Sequence, residues 1–147
     1  PAMFWTGINW AKWIDMHRDD PEAIAELARA TALMQRVIDL DETFYYGGAH
    51  MYFGVYYGSR PQMLGGNFEK SAQHFDRARE ITDGKLLIPD LLQAQYLARQ
   101  QQNQKDFHDR LTSIINAPDD LMPELGLQNQ IAKRKARLLL EKESQWF

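Results

Sequence analysis

The sequence runs to 147 residues, with 20 acidic side chains against 17 basic ones, a net charge of −3, and no cysteine. With 44% hydrophobic and 25% charged residues it has an ordinary soluble globular composition, which excludes a disordered chain. The slight acidity argues against a general nucleic-acid binder, and the missing cysteine rules out disulfide scaffolds, thiolate metal sites and thiol nucleophiles.

Helical signals recur along the chain, and strand signals hardly occur. Phe4, Gly7, Ile8, Ala11 and Ile14 follow helical spacing among Trp5, Trp10 and Trp13. Asp20-Pro21-Glu22 reads as a fresh start, with Asp20 accepting orphan N–H groups and Pro21 at the first helical position. The helix that follows carries Ala23, Leu27, Ala30, Met34, Val37 and Ile38 on one side and ends near Leu40-Asp41. A third helix spans about Thr43 to Ser59, and Arg60-Pro61 stops it. Asn67 caps the fourth, whose Phe68, Ala72, Phe75, Ala78 and Ile81 point inward before Asp83-Gly84. Pro89 opens a fifth helix through Ala98. A sixth places Phe107, Leu111, Ile114 and Ile115 inside, and the last one, after Pro123, bears Ile131, Ala132, Ala136, Leu139 and Leu140.

A repeat runs through these elements. Gly7 and Trp10 match Gly54 and Tyr57 at one constant offset, and Ala30, Met34 and Val37 match Ser71, Phe75 and Ala78 at another. Phe107, Leu111 and Ile114 echo the second pattern more weakly. A small residue lets a partner helix approach, and the large one four positions later fills the groove, as in tetratricopeptide (TPR) units. The expected fold is all-α: an irregular TPR-like array of about seven helices in hairpins, forming one domain over residues 1–147.

The segment Thr43–Ser59 has no charged residue and carries five tyrosines, four glycines and a histidine. It falls a little short of the ~20 apolar residues that cross a bilayer, and its composition argues against a membrane span. Such a helix should be buried on most sides. The plain reading is a core helix with tyrosine tips at the rim. The functional one is a cavity for a ligand with apolar surface and a few polar groups, faced by Tyr46, His50, Phe53, Tyr57 and, at the helix end, Arg60. Arg60 would either grip a carboxylate or neutralise the carbonyl-rich helix terminus. His50 is expected to bond a tyrosine or a backbone carbonyl, while His74 and His108 are expected in solvent. Asp15-x-His17-x-Asp19-Asp20 fits a metal cluster less well than a solvated turn with Asp20 as cap. Gly65-Gly66 lacks the Lys and Ser/Thr of a phosphate loop, and Lys133, Arg134, Lys135 and Arg137 read as the wet face of the last helix. Catalysis has no positive signal, and no cofactor is implied.

The run YGGAHMYFGVYYGSRPQMLGGNFEKSAQHF, from Tyr46 to Phe75, resembles the signature of the TPR-like T component associated with TRAP transporters, the TatT family. Gly48, Gly54, Tyr57, Pro61, Leu64, Gly65, Gly66, Ala72 and Phe75 carry the likeness. It extends from the tryptophan-rich first helix to Asn129, Ala132, Ala136 and Phe147. The resemblance implies a non-enzymatic periplasmic lipoprotein with a hollow helical body, trimeric, paired with the transporter's solute-receptor (P) component. It further implies that the chain, which begins at Pro1, is the C-terminal part of a longer mature protein whose anchor is absent here. The rival reading is a TPR-like interaction module that binds a peptide or partner protein and has no ligand role.

Overall fold

The computed structural model describes residues 1–147, all helices and connections with no strand. The helices are α1 (Ala2–Met16), α2 (Pro21–Ala25), α3 (Leu27–Asp41), α4 (Phe44–Gly58), α5 (Phe68–Ile81), α6 (Ile88–Leu92), α7 (Gln104–Asn116), α8 (Gly126–Leu140) and α9 (Glu143–Trp146). No helix is long and apolar enough to cross a membrane. The second expected helix divides at Glu26 into α2 and α3, and the fifth continues from α6 as a π-helix over Gln93–Ala98. Three of the starts are set by side chains. Asp20 accepts from Glu22 N at 2.9 Å, Asn67 from Lys70 N at 2.9 Å, and Asn103 from Asp106 N at 3.1 Å. Each satisfies a backbone donor that the first helical turn leaves free.

The repeat seen in the sequence is a repeated joint. A Cβ on Gly7 would lie 2.6 Å from the Met34 sulfur, and one on Gly54 would lie 2.6 Å from the Phe75 ring. The same missing side chain therefore lets α3 close on α1 and α5 close on α4. Met34 and Phe75 are wholly buried, as are Ala30 and Ser71 one turn earlier. Burying a side chain of that size contributes about 1.5–3 kcal/mol. Gly58 approaches Ser71 while Gly47 approaches Ile81, so α4 and α5 run antiparallel. Ser71 Oγ donates to Gly54 O at 2.7 Å, satisfying a polar group that the close contact buries.

Farther along, Leu91, Ala94, Ala98, Phe107, Leu111, Ile114, Ala132 and Ala136 form a second, aliphatic core between α6, α7 and α8. Asn129 stitches α8 to the segment before α6, accepting from Leu87 N and donating to Lys85 O, both at 2.9 Å. Asp90 joins the two regions: it receives Arg79 of α5 at 3.0 Å and Arg110 of α7 at 2.9 Å.

α4 does not begin as a regular helix. Tyr45, Tyr46 and Gly47 have φ of 48°, 58° and 76°, a left-handed turn, and the right-handed helix starts after them. Two non-glycine residues held there cost roughly 1–2 kcal/mol each. This turn breaks the continuous helix expected over Thr43–Ser59, and Tyr46 falls outside the right-handed part that carries Phe53 and Tyr57.

Candidate functional site

A cavity of about 590 Å³ lies between α1, α4, the start of α3 and α6, and is partly open to solvent. From α4 it receives Gly48, Met51, Tyr52, Val55 and Tyr56, successive positions on one helical face. Phe4, Trp5, Ile8 and Ala11 of α1 form the opposite wall. Ile88, Leu92 and Tyr96 also line it, as do Ile24 and Leu27. A Cβ at Gly48 would come 2.6 Å from the Phe4 ring, so glycine there lets α1 and α4 converge at the cavity edge. Trp5 packs edge-on against Tyr45 at 4.8 Å, fixing the aromatic rim. Tyr52 hydroxyl shares a 2.8 Å hydrogen bond with Thr31, and burial raises its pKa.

The polar groups of this cavity are few. Asp15 is engaged by Arg18, with Lys12 one turn away. Arg60 stands at the α4 end, its guanidinium 3.9 Å from the Tyr56 ring centre and its Nε donating to Tyr56 O at 3.1 Å. It thus binds the helix-terminal carbonyl, one of its two expected roles, and lines the cavity as well. Its Nη2 is buried without an acceptor.

The connection after α4 explains why Arg60 is held there. Gly65 has φ of 85° and closes a short 3-10 turn over Gln62–Leu64. Gly66 lies so near Arg60 that a Cβ would fall 1.9 Å from the Arg60 carbonyl oxygen. Gly66 N donates to Pro61 O and Asn67 N to Tyr57 O, both at 3.0 Å. The Leu-Gly-Gly element is therefore a backbone crossing in which glycine is required sterically.

Of the five residues expected at a ligand, only Arg60 lines the cavity. His50, Phe53 and Tyr57 turn toward α5, and Tyr46 sits on the left-handed turn, 36% exposed. The packing of α5 separates these faces. Gly54 and Gly58 mark the α5 side of α4, and residues two positions before them, Tyr52 and Tyr56, lie about 200° around the helix.

The α5 side holds a separate polar chain. Arg77 grips the Glu42 carboxylate with two nitrogens. Glu42 accepts from His50 Nε2 at 2.9 Å, which leaves His50 Nδ1, in the neutral ring, to accept from His74 Nδ1 at 2.9 Å. His50 thus bonds a carboxylate and a second imidazole in place of the expected tyrosine or carbonyl. His74 is half-buried, contrary to expectation, because its ring stacks on Phe53 at 5.2 Å. Burial, with His50 and Lys70 nearby, lowers its pKa to about 4, while hydrogen bonds from Arg77 and His50 lower that of Glu42 to about 2. His108 is exposed as expected and pairs with Glu143 at 2.9 Å.

Among known protein families, the model described as TRAP transporter T-component matches residues 1–147, the whole chain. No curated protein matches the sequence.

Proposed function

This chain belongs to the TRAP transporter T-component family, and on that footing we propose that it is a non-enzymatic accessory subunit that handles a small organic ligand and pairs with the solute-receptor (P) component. The observation that carries the ligand role is the cavity of about 590 Å³ lined by the charge-free tyrosine helix. That volume falls in the range of small-molecule sites, and its walls are mostly hydrophobic with a few polar groups. A peptide groove would expose backbone-binding polar groups along an open concave face, so the apolar lining favours a solute over the rival peptide-binding role. Met51, Tyr52, Val55, Tyr56 and Arg60 are the proposed ligand-facing residues of α4 and its end. Periplasmic location, a lipid anchor on the full-length protein, trimer formation and a single TPR-like domain complete the proposal, on family resemblance.

Native mass spectrometry of the mature lipoprotein, with and without the receptor component, tests subunit number, partner and retained ligand together. A Val55→Trp variant fills the cavity from its α4 wall. It is expected to lose retained ligand and keep the receptor. Retention of the same ligand mass by the filled variant would overturn the cavity assignment.

A further inference from the structure

We propose that the outward face of α8 docks on an anionic lipid bilayer, with its aliphatic stripe among the headgroups and its cations on the lipid phosphates. This contact is independent of the cavity and of any ligand the cavity holds.

α8 is packed inside out. Its buried side chains are small or polar, namely Asn129, Ala132, Lys133 and Ala136, and the helix packs on α6 and α7. Its large aliphatics stand outside: Leu127 is 71% exposed, Leu138 49%, and Ile131, expected inside, 43%. At about 100° per residue these three fall within about 40° of one another, on the side away from Ala136. The stripe from Leu127 to Leu138 runs about 16 Å along the helix. Exposed Arg134 lies on the same line, with exposed Lys135 on one flank and exposed Arg137 on the other. None of these three is in an ion pair, whereas buried Lys133 is held by Asp119 at 2.6 Å. Asp119, the acid beside Arg137, is further engaged by Gln130, and Glu141 follows the helix end.

Charge and shape together select the occupant. α8 contains four cations and no acid, in a chain whose net charge is −3. An anionic surface therefore attracts this face and repels the acidic remainder, which sets the orientation of approach. The stripe is a single line on a convex helix, so a flat surface meets all of it without a complementary groove. Leu127, Ile131 and Leu138 enter the headgroup layer, while the long stems of Arg134, Lys135 and Arg137 lie beside them and carry their charges to phosphates. An acidic protein would satisfy the cations, but it would also have to bring an apolar groove to cover the stripe. The contact is peripheral, since no helix of the chain is long and apolar enough to cross a membrane.

Co-sedimentation of the intact chain with vesicles tests this, using equal parts phosphatidylglycerol and phosphatidylcholine against phosphatidylcholine alone. The chain has no cysteine, so no thiol-linked acyl anchor contributes to binding. Binding is expected on the anionic vesicles, about tenfold or more weaker on the neutral ones, and weaker at high salt. Arg134→Gln with Lys135→Gln should lower affinity by about 25-fold, at about fivefold per cation. Arg29→Gln with Arg36→Gln removes the same charge from exposed positions of α3 and should leave binding within about twofold. Leu127→Asn with Leu138→Asn should lower it by about tenfold at both salt levels, because the apolar part is not screened. All six positions are exposed, and circular dichroism establishes that each variant folds. Equal binding to both vesicles, no binding to either, or equal losses in the α3 and α8 charge variants would overturn the proposal. Sedimentation equilibrium without lipid covers a second copy as occupant: self-association abolished by the leucine pair would overturn it. So would polyglutamate binding as tight as vesicle binding, with both indifferent to the leucine pair, since the face would then be a plain acid-binding patch.

Discussion

The two ends of the array are built from different materials. The helices from α1 to α5 meet through glycine against Met34 or Phe75, and they bring most of the aromatic rings, many of them paired edge-on or stacked. The helices from α6 to α8 meet through alanine and leucine, with Phe107 the one large ring at the centre. Glycine brings backbones close at selected points, whereas the rigid rings beside it cannot collapse into the space between those points. Alanine and leucine interdigitate and fill their space. The first construction encloses a cavity and the second a solid core. A chain with the same overall hydrophobicity can therefore be hollow at one end and filled at the other.

That contrast is sharpest in truncation experiments. Leu111→Ala in the filled core should cost about 2–5 kcal/mol, because the surrounding side chains relax only partly into the space. Val55→Ala on the cavity wall removes atoms that already face open space, and should cost less than about 1.5 kcal/mol. Urea unfolding of both variants measures the difference, and equal losses would mean that the cavity is collapsed in solution.

A smaller effect tests the joints themselves. Gly54→Ala would push against the Phe75 ring and should destabilise by about 1–3 kcal/mol. Gly126→Ala, where an added Cβ meets nothing within 4 Å, should shift stability by less than about 0.5 kcal/mol. If both changes were equally mild, close approach at Gly54 would not hold the first region together.

Much of this organisation was legible before any coordinates. The spacing of Ala30, Met34 and Val37, repeated at Ser71, Phe75 and Ala78, located the buried stripes of α3 and α5, because burial of one helical face leaves a periodic trace. Asp20, Asn67 and the Pro-opened helices were readable for a similarly local reason. The site was less legible. Choosing between the Tyr52/Tyr56 face and the Phe53/Tyr57 face requires knowing which stripe a partner helix occupies, and that is a long-range fact. The left-handed turn at Tyr45–Gly47 was invisible because two tyrosines in that conformation contradict local preference, and tertiary contacts of Tyr45 with Phe4 and Trp5 override it. The Glu42–His50–His74 chain joins three positions whose proximity no spacing rule announces.

That turn supplies a third, smaller test. Tyr46→Asn places a residue tolerant of positive φ at an exposed position and should stabilise the aromatic region by roughly 0.5–1 kcal/mol. Thermal unfolding measures it, and a loss of stability would show that the Tyr46 ring contributes more by contact than its backbone costs.

A further test concerns acid. His74 has its pKa lowered from 6.5 to about 4, so as pH falls through that window the unfolded chain takes up a proton before the folded one. Stability conferred by the neutral ring is complete above about 6.5 and declines toward 4. Glu42, lowered from 4.5 to about 2, then weakens the fold further below 4.5. Replacing His74 by Phe should flatten the upper part of this decline, as read from urea midpoints between pH 7 and 4. An unchanged slope would mean that His74 titrates as it does in the unfolded chain.

The bare backbone at Gly48 makes one methyl group a size control for the hollow. With the Phe4 ring 2.6 Å from where that methyl would stand, any larger residue at this position must displace the ring and redraw the aperture between α1 and α4. The width of that opening is therefore fixed at one backbone position, while the helices on either side keep their packing.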